Sequence, residues 1–306
     1  MKTKKKGYRK GTFSLFLIAL PGILYLFINN YVPIIGIFIA FKRFSYAKGI
    51  WDSPWCGFDN FKFLFITDDA WVITRNTLLY NLAFIIIGTI ISVFMAILLN
   101  ELGEKLRGKF FQSTLLFPHL LSWVVTSYLV YALLGATNGF VNNTILAGMG
   151  KEGIDWYSVK MYWPLILIIV YIWKNAGYTA IVYMAGIAGI DKEIFEAARI
   201  DGASKIKQII SITLPMLRPT VIIMTLMSIG RIFYSDFGLF YQVPMNSVML
   251  FSVTQTIDTY VYSGLMEQGN IGMSSAAGVY QSLVGFILVM LANYIVRKKD
   301  PENALF

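Results

Sequence analysis

The chain has 306 residues, 57% of them hydrophobic and 14% charged, with a formal net charge of +9. Soluble domains carry nearer about a quarter charged residues, so this composition belongs in lipid. One cysteine, Cys56, and one histidine, His119, exclude an internal disulfide and any Cys- or His-rich metal cluster.

A helix of roughly 20 apolar residues crosses the hydrocarbon core. Six segments qualify: Thr12–Phe41, Leu78–Leu99, Leu115–Leu134, Tyr162–Met184, Thr220–Phe240 and Ala276–Val296. The first follows a basic "KTKKKGYRK" stretch and is too long for a signal-peptide core, so it reads as an uncleaved span. Pro21, Asn29, Asn30, Pro33 and Gly36 predict a kink or unwound turn inside it. The aromatic stretch "FSYAKGIWDSPWCGFDNFKFLF" that follows suits an amphipathic interfacial segment or an aromatic belt at the headgroups. In the third span His119 follows Pro118 and reads as a structural residue, while Asn76, Asn81 and Asn100 read as packing or helix-end residues. The stretch Tyr241–Ser275 has no cation and reads either as a solvated connection or as a surface for an outside partner.

Charge sets the orientation. The N-terminal stretch, the loop Asn100–Phe110, the island Asp191–Arg218 and the final "RKK" together hold 17 of the 26 Lys and Arg, and the opposite loops hold seven. The positive-inside rule therefore places both termini and the island in the cytoplasm.

The island, "EIFEAARIDGASKIKQIISITLP", is the polar exception in this apolar chain. Ile194, Ala197 and Ala198 share one helical face, and Ile206, Ile209, Ile210 and Thr213 another, with Gly202 between them. A glycine there can take the left-handed conformation that closes one helix and turns the chain. Pro215 and Pro219 are expected to end the second piece. On pattern alone the island could also lie flat on the membrane.

The spacing Glu196-Ala197-Ala198, three residues, Gly202, nine residues, Ile212-x-Leu214-Pro215 resembles the EAA signature of binding-protein-dependent ABC importer permeases. "LIALPGILYLFINNYVPIIGIFIAFKRF", "RNTLLYNLAF", "FPHLLSWVV" and "GVYQSLVGFILVMLANYIVRKKDPENALF" extend that resemblance over nearly the whole chain, toward the LplB-like branch of maltose-type carbohydrate permeases. The resemblance implies an all-α, MetI-like type I importer fold, with residues 1–306 as one permease domain and 191–218 as its coupling loop. It implies that Glu196, Ala197, Ala198, Asp201, Gly202, Ile212, Leu214 and Pro215 form the ATPase-coupling site, with Glu196 as a charged anchor. The implied partners are a second homologous permease, a pair of cytoplasmic ATP-binding subunits and an external solute-binding protein. The implied cargo is an oligosaccharide and the location a bacterial plasma membrane. The chain has no G-x-x-x-x-G-K-[ST] loop, so ATP and Mg are expected on the partner.

Charged residues within spans are costly and rarely idle. Tyr171, Lys174, Asn175 and Tyr178 share one helical face of the fourth span, and Arg231, Tyr234 and Ser235 are expected to do the same on the fifth. The resemblance places Tyr171, Lys174, Asn175 and Tyr178 at substrate positions, with Phe233 and Asp236 beside them. Lys174 and Arg231 would favour an anionic sugar. Alternatively, Lys174 snorkels or pairs with Asp236, and Arg231 pairs with a partner carboxylate. No nucleophile–base pairing is present, and the acid pairs Asp52/Asp59 and Asp68/Asp69 lack a catalytic context, so no enzyme activity is expected. A gradient-driven secondary transporter is the competing reading, without the inverted repeat that such folds carry.

Overall fold

The computed structural model describes residues 8–103 and 106–299. Among them the chain is helical throughout, with β pairing confined to two isolated bridges. Five helices are long and apolar enough to cross a membrane, and a sharply bent pair supplies the sixth crossing.

The first span begins as α1 (Tyr8–Leu26), widens to a π turn at Phe27–Tyr31 and tightens to a 3-10 helix over Val32–Phe41. The expected interruption is thus a change of pitch in a continuous helical path. Pro33 has no N–H for the α ladder. The amides of Asn29 and Asn30 donate to the carbonyls of Tyr25 and Leu26 at 2.9 and 3.0 Å, satisfying backbone there. Beyond it, Lys42 is buried and donates from Nζ to the carbonyls of Ile50 and Trp51, which folds the aromatic segment after the first span back on itself.

Helix α2 (Asp69–Leu102) overruns its expected ends and stops at Gly103, whose φ of +70° closes the last turn. The third span is not the straight Leu115–Leu134 segment that hydrophobicity predicts. It is α3 (Leu106–Leu120) and α4 (Trp123–Leu134), bent by 96° at the break. Ser122 starts α4 by accepting from the Val125 N–H at 3.2 Å. Helix α5 (Trp163–Ala188) opens with Pro164 in its first turn and packs along α2 and α3. At Gly177 the backbones nearly touch: a Cβ there would lie 1.9 Å from the Leu115 carbonyl oxygen.

The island contains α6 (Lys192–Ile200) and the start of α7 (Lys205–Ile229). Pro215 and Pro219 do not end the second piece as expected; the helix runs through both. The π turn at Ile209–Thr213 already removes the regular ladder where Pro215 lacks its N–H. The fifth span, expected to reach Phe240, ends instead at Ile229. An irregular stretch follows from Gly230 to Asp236, then the short α8 (Phe237–Gln242).

Tyr241–Ser275 is not a solvated connection. Leu250 and Ile257 are fully buried, and α9 (Ile257–Met266) packs on α10 (Ile271–Lys299). The Ile257 N–H donates to Thr77 Oγ1 at 3.1 Å, Asn76 Nδ2 to the Gln255 carbonyl at 2.9 Å, and the Tyr80 hydroxyl to the Val253 carbonyl at 2.8 Å. Polar side chains of α2 thus clamp this segment through its backbone, which lipid could not satisfy. Three apolar clusters complete the interior: one around Ile73, Phe233 and Ala277, one around Trp163, Leu167 and Phe240, and one around Ala180, Tyr183 and Leu217.

Candidate functional site

Between α2, α5, the break in the third span and the irregular stretch after α7 lies a cavity of about 670 Å³, within the size range of small-ligand sites. Its wall includes Asn81, His119, Tyr171, Asn175, Tyr178, Arg231, Tyr234, Ser235 and Asp236. Six of the eight expected pathway residues therefore meet there.

Lys174 and Phe233 do not line it. Phe233 is 1% exposed and belongs to the apolar cluster against Ala276 and Tyr280. Lys174 is 5% exposed and points from α5 into the break of the third span. Its Nζ donates to the carbonyls of Pro118 at 3.2 Å, His119 at 3.1 Å and Leu121, and lies 5.1 Å from the Trp123 ring. A helix ending inside a membrane leaves carbonyls without partners, and Lys174 fills that need with one cation. It neither snorkels nor forms an ion pair with Asp236.

Arg231 and Tyr234 do not share a helical face, because the stretch is not helical. The Ser235 N–H and Oγ donate to Asp258 Oδ2 at 2.6 and 2.7 Å, and Gln281 Nε2 donates to the Phe233 carbonyl at 2.9 Å and Asp258 Oδ1 at 3.1 Å. Asp258 and Gln281 were missed in the sequence, where only a lone acid and a lone amide near span ends marked them. Asp236 starts α8 by accepting from the Gly238 N–H at 3.1 Å. A Cβ on Gly238 would lie 2.1 Å from Trp123, so the Lys174–Trp123–Asp236 corner needs glycine. Arg231, by contrast, is exposed to the cavity and has no carboxylate within ion-pair distance among the described residues.

His119 is a cavity residue, against its structural reading in the sequence. Its ring stacks on Tyr178 with centroids 4.6 Å apart and planes 12° apart. Tyr171 stacks on Phe84 at 3.8 Å. The wall therefore offers aromatic faces, amides, hydroxyls and one unpaired cation, a donor set matched to a polyhydroxylated ligand.

At the other end, α6 starts where Asp191 accepts from the Glu193 N–H at 3.0 Å. It closes with the Ala203 N–H on the Ala198 carbonyl at 2.8 Å and Gly202 at φ +76°, a Schellman-type end that only an open left-handed position allows. Glu196, Ala197, Asp201, Leu214 and Pro215 are exposed, while Ala198 and Ile212 are half-buried. Ile200 is 87% exposed. Glu196 has no ion pair among the described residues. Lys205 Nζ reaches Glu101 Oε2 at 2.7 Å, tying the start of α7 to the end of α2. The bent element therefore projects an apolar face that no described residue covers.

Helical spans around a polar cavity, with irregular backbone only where it lines that cavity, define an integral membrane transport protein. Residues 88–301 match the family described as binding-protein-dependent transport system inner membrane component, and the chain belongs to that family. Among curated relatives, Protein LplB of Bacillus subtilis (strain 168) is 34% identical over 289 residues, spanning 94% of this chain and 90% of LplB. The polygalacturonan/rhamnogalacturonan transport system permease protein YteP of the same organism is also 34% identical, spanning 94% of this chain and 89% of YteP. A bacterial ABC transporter involved in import of the acidic polysaccharide alginate is structurally similar, with a TM-score of 0.85 and 29% identity over 94% of this chain and 96% of that one. The six-crossing, MetI-like importer fold expected from the sequence is thereby established.

Proposed function

We propose that this chain is a permease subunit of an ATP-driven importer of acidic oligosaccharides. The observation that carries the ligand class is Arg231, an unpaired cation on the wall of a cavity otherwise lined with aromatic rings and neutral hydrogen-bonding groups. Tyr rings pack against sugar faces, the amides and hydroxyls meet sugar hydroxyls, and the guanidinium meets a carboxylate. Relatives named for polygalacturonan and alginate transport support the same ligand class.

The exposed face of α6, around Glu196, Ala197 and Ile200, is the surface on which a cytoplasmic ATPase docks. Closure of the ATPase pair pulls α6. Because α7 begins just beyond Gly202 and runs directly to the cavity wall, that pull reaches the ligand site through one helix. A second permease completes the membrane unit, and an external binding protein delivers the sugar; the related alginate transporter is also known in complex with its pentasaccharide-bound periplasmic protein. The chain does no chemistry of its own, and both termini lie in the cytoplasm.

The test is uptake by the complete importer in proteoliposomes. Import of a galacturonate trisaccharide should require hydrolysable ATP and binding protein, and should outpace maltotriose. In Arg231→Met the KM for the uronate should rise at least about tenfold with maltotriose little affected, as loss of one charge-assisted contact requires. Uptake driven by an ion gradient without ATP would establish the secondary-transporter reading instead.

A further inference from the structure

The chain's one histidine lies on the cavity wall, and nothing proposed above uses its ring nitrogens. His119 Nδ1 is 3.3 Å from Asn175 Oδ1. The amide orientation of Asn175 follows from chemistry: its Nδ2 donates to the Tyr171 carbonyl at 3.0 Å, and a carbonyl can only accept. The atom facing His119 is therefore an acceptor, so Nδ1 must carry the hydrogen. The lone pair is left on Nε2, which has no partner among the described residues.

We propose that His119 is a specificity residue that makes binding of an acidic sugar proton-linked. With its Nδ1 hydrogen committed to Asn175, Nε2 takes up a proton from bulk solvent when a ligand carboxylate enters, keeps it, and donates a hydrogen bond through it to that carboxylate. The imidazole becomes imidazolium, and no bond of the sugar changes. Stacking on Tyr178 holds the ring flat and stabilises the cationic form through the ring face. The inference rests on the acidic-oligosaccharide reading above.

The surrounding charges leave the decision to the ligand. From α5, the Lys174 ammonium sits against the His119 carbonyl, and Tyr171, Tyr178 and Tyr183 present hydroxyls. From the stretch beyond α7 come the Arg231 guanidinium, the Asp236 carboxyl and the Tyr234 hydroxyl. The α2 wall presents Asn81, Thr89 and Ser92, none of them charged. The empty site thus holds two cations and one carboxylate, the latter engaged at the start of α8. A bound carboxylate brings the negative charges level with the positive ones and places one of them beside the ring, where it favours a proton on Nε2.

Two arms test this. First, the subunit is labelled on its histidine ring nitrogens and assembled with unlabelled partners, so that His119 is the one reporting residue. Its neutral form should be the Nδ1–H tautomer. A galacturonate trisaccharide should tighten proton binding about tenfold, whereas maltotriose should leave it unchanged. The Nε2–H tautomer, or an identical titration with both sugars, overturns the proposal. Second, His119→Phe keeps the stack and removes the nitrogens. Its uronate KM should rise about tenfold near pH 6 and little near pH 8, with kcat and the maltotriose KM retained. Wild-type kinetics for the variant, or equal losses with both sugars, also overturn it. Absence of ATP-driven import in the wild type would refute the function instead, and leave the first arm to decide this inference.

Discussion

Replacing Lys174 by methionine separates charge recognition from architecture. The side chain fits the same channel, but the Pro118, His119 and Leu121 carbonyls lose their donor. Pro118 keeps the Leu121 N–H at 3.2 Å, and the two acceptors left unmatched cost about 1–3 kcal/mol each. That loss is partly offset by no longer holding an ammonium out of water, which leaves a net cost of about 2–3 kcal/mol. The apparent unfolding temperature of the purified importer, followed by intrinsic fluorescence, should therefore fall by several degrees. Uptake of a uronate and of a neutral oligosaccharide should fall together, because the variant disturbs the helix break that shapes the cavity for both ligands and removes no contact to ligand charge. Wild-type stability, or a loss confined to the uronate, would refute this assignment.

Three further outcomes follow from particular positions. Gly177→Ala would drive a Cβ against the Leu115 backbone, which cannot yield as a side chain would, and should cost about 3 kcal/mol, read as a lower unfolding temperature and reduced yield of assembled complex. Gly202 meets no neighbour within 4 Å, so only its φ of +76° resists substitution. Gly202→Val should lose about 1–2 kcal/mol in the turn and uncouple uptake from ATP hydrolysis, whereas Gly202→Asn, which tolerates that conformation, should keep most uptake. Cys56, the sole cysteine and partly exposed, lies on the outer side in the proposed orientation, so a membrane-impermeant maleimide should label intact cells, and labelling only after lysis would invert the topology.

Hydrophobic runs and one short signature were enough to read the spans and the family, because both depend on residues near in sequence. Tyr171, Asn175 and Tyr178 were legible for the same reason, as one helical face reaching the cavity together. Lys174 shares that face and does something else. Its partners are carbonyls some 53–56 residues away, created by a helix break that hydropathy cannot register. The break also brings His119 onto the cavity wall, where the sequence shows a histidine after a proline. The same limit applies to Arg231: an apolar window cannot tell a helix from the Gly230–Asp236 turn that Asp258 and Gln281 hold from afar. Pro215 shows the converse, a residue read as a terminator that a neighbouring π turn accommodates.

The docking of α6 on an ATPase is tested most directly by cross-linking. In a Cys56→Ser background, a cysteine is placed at Ala197, exposed on the projecting face, and the assembled importer is treated with a short bifunctional thiol reagent. The account predicts a cross-link to the ATP-binding subunit that changes in yield when ATP is bound. A cysteine that joins no ATPase and instead reacts only with lipid-phase reagents would contradict it.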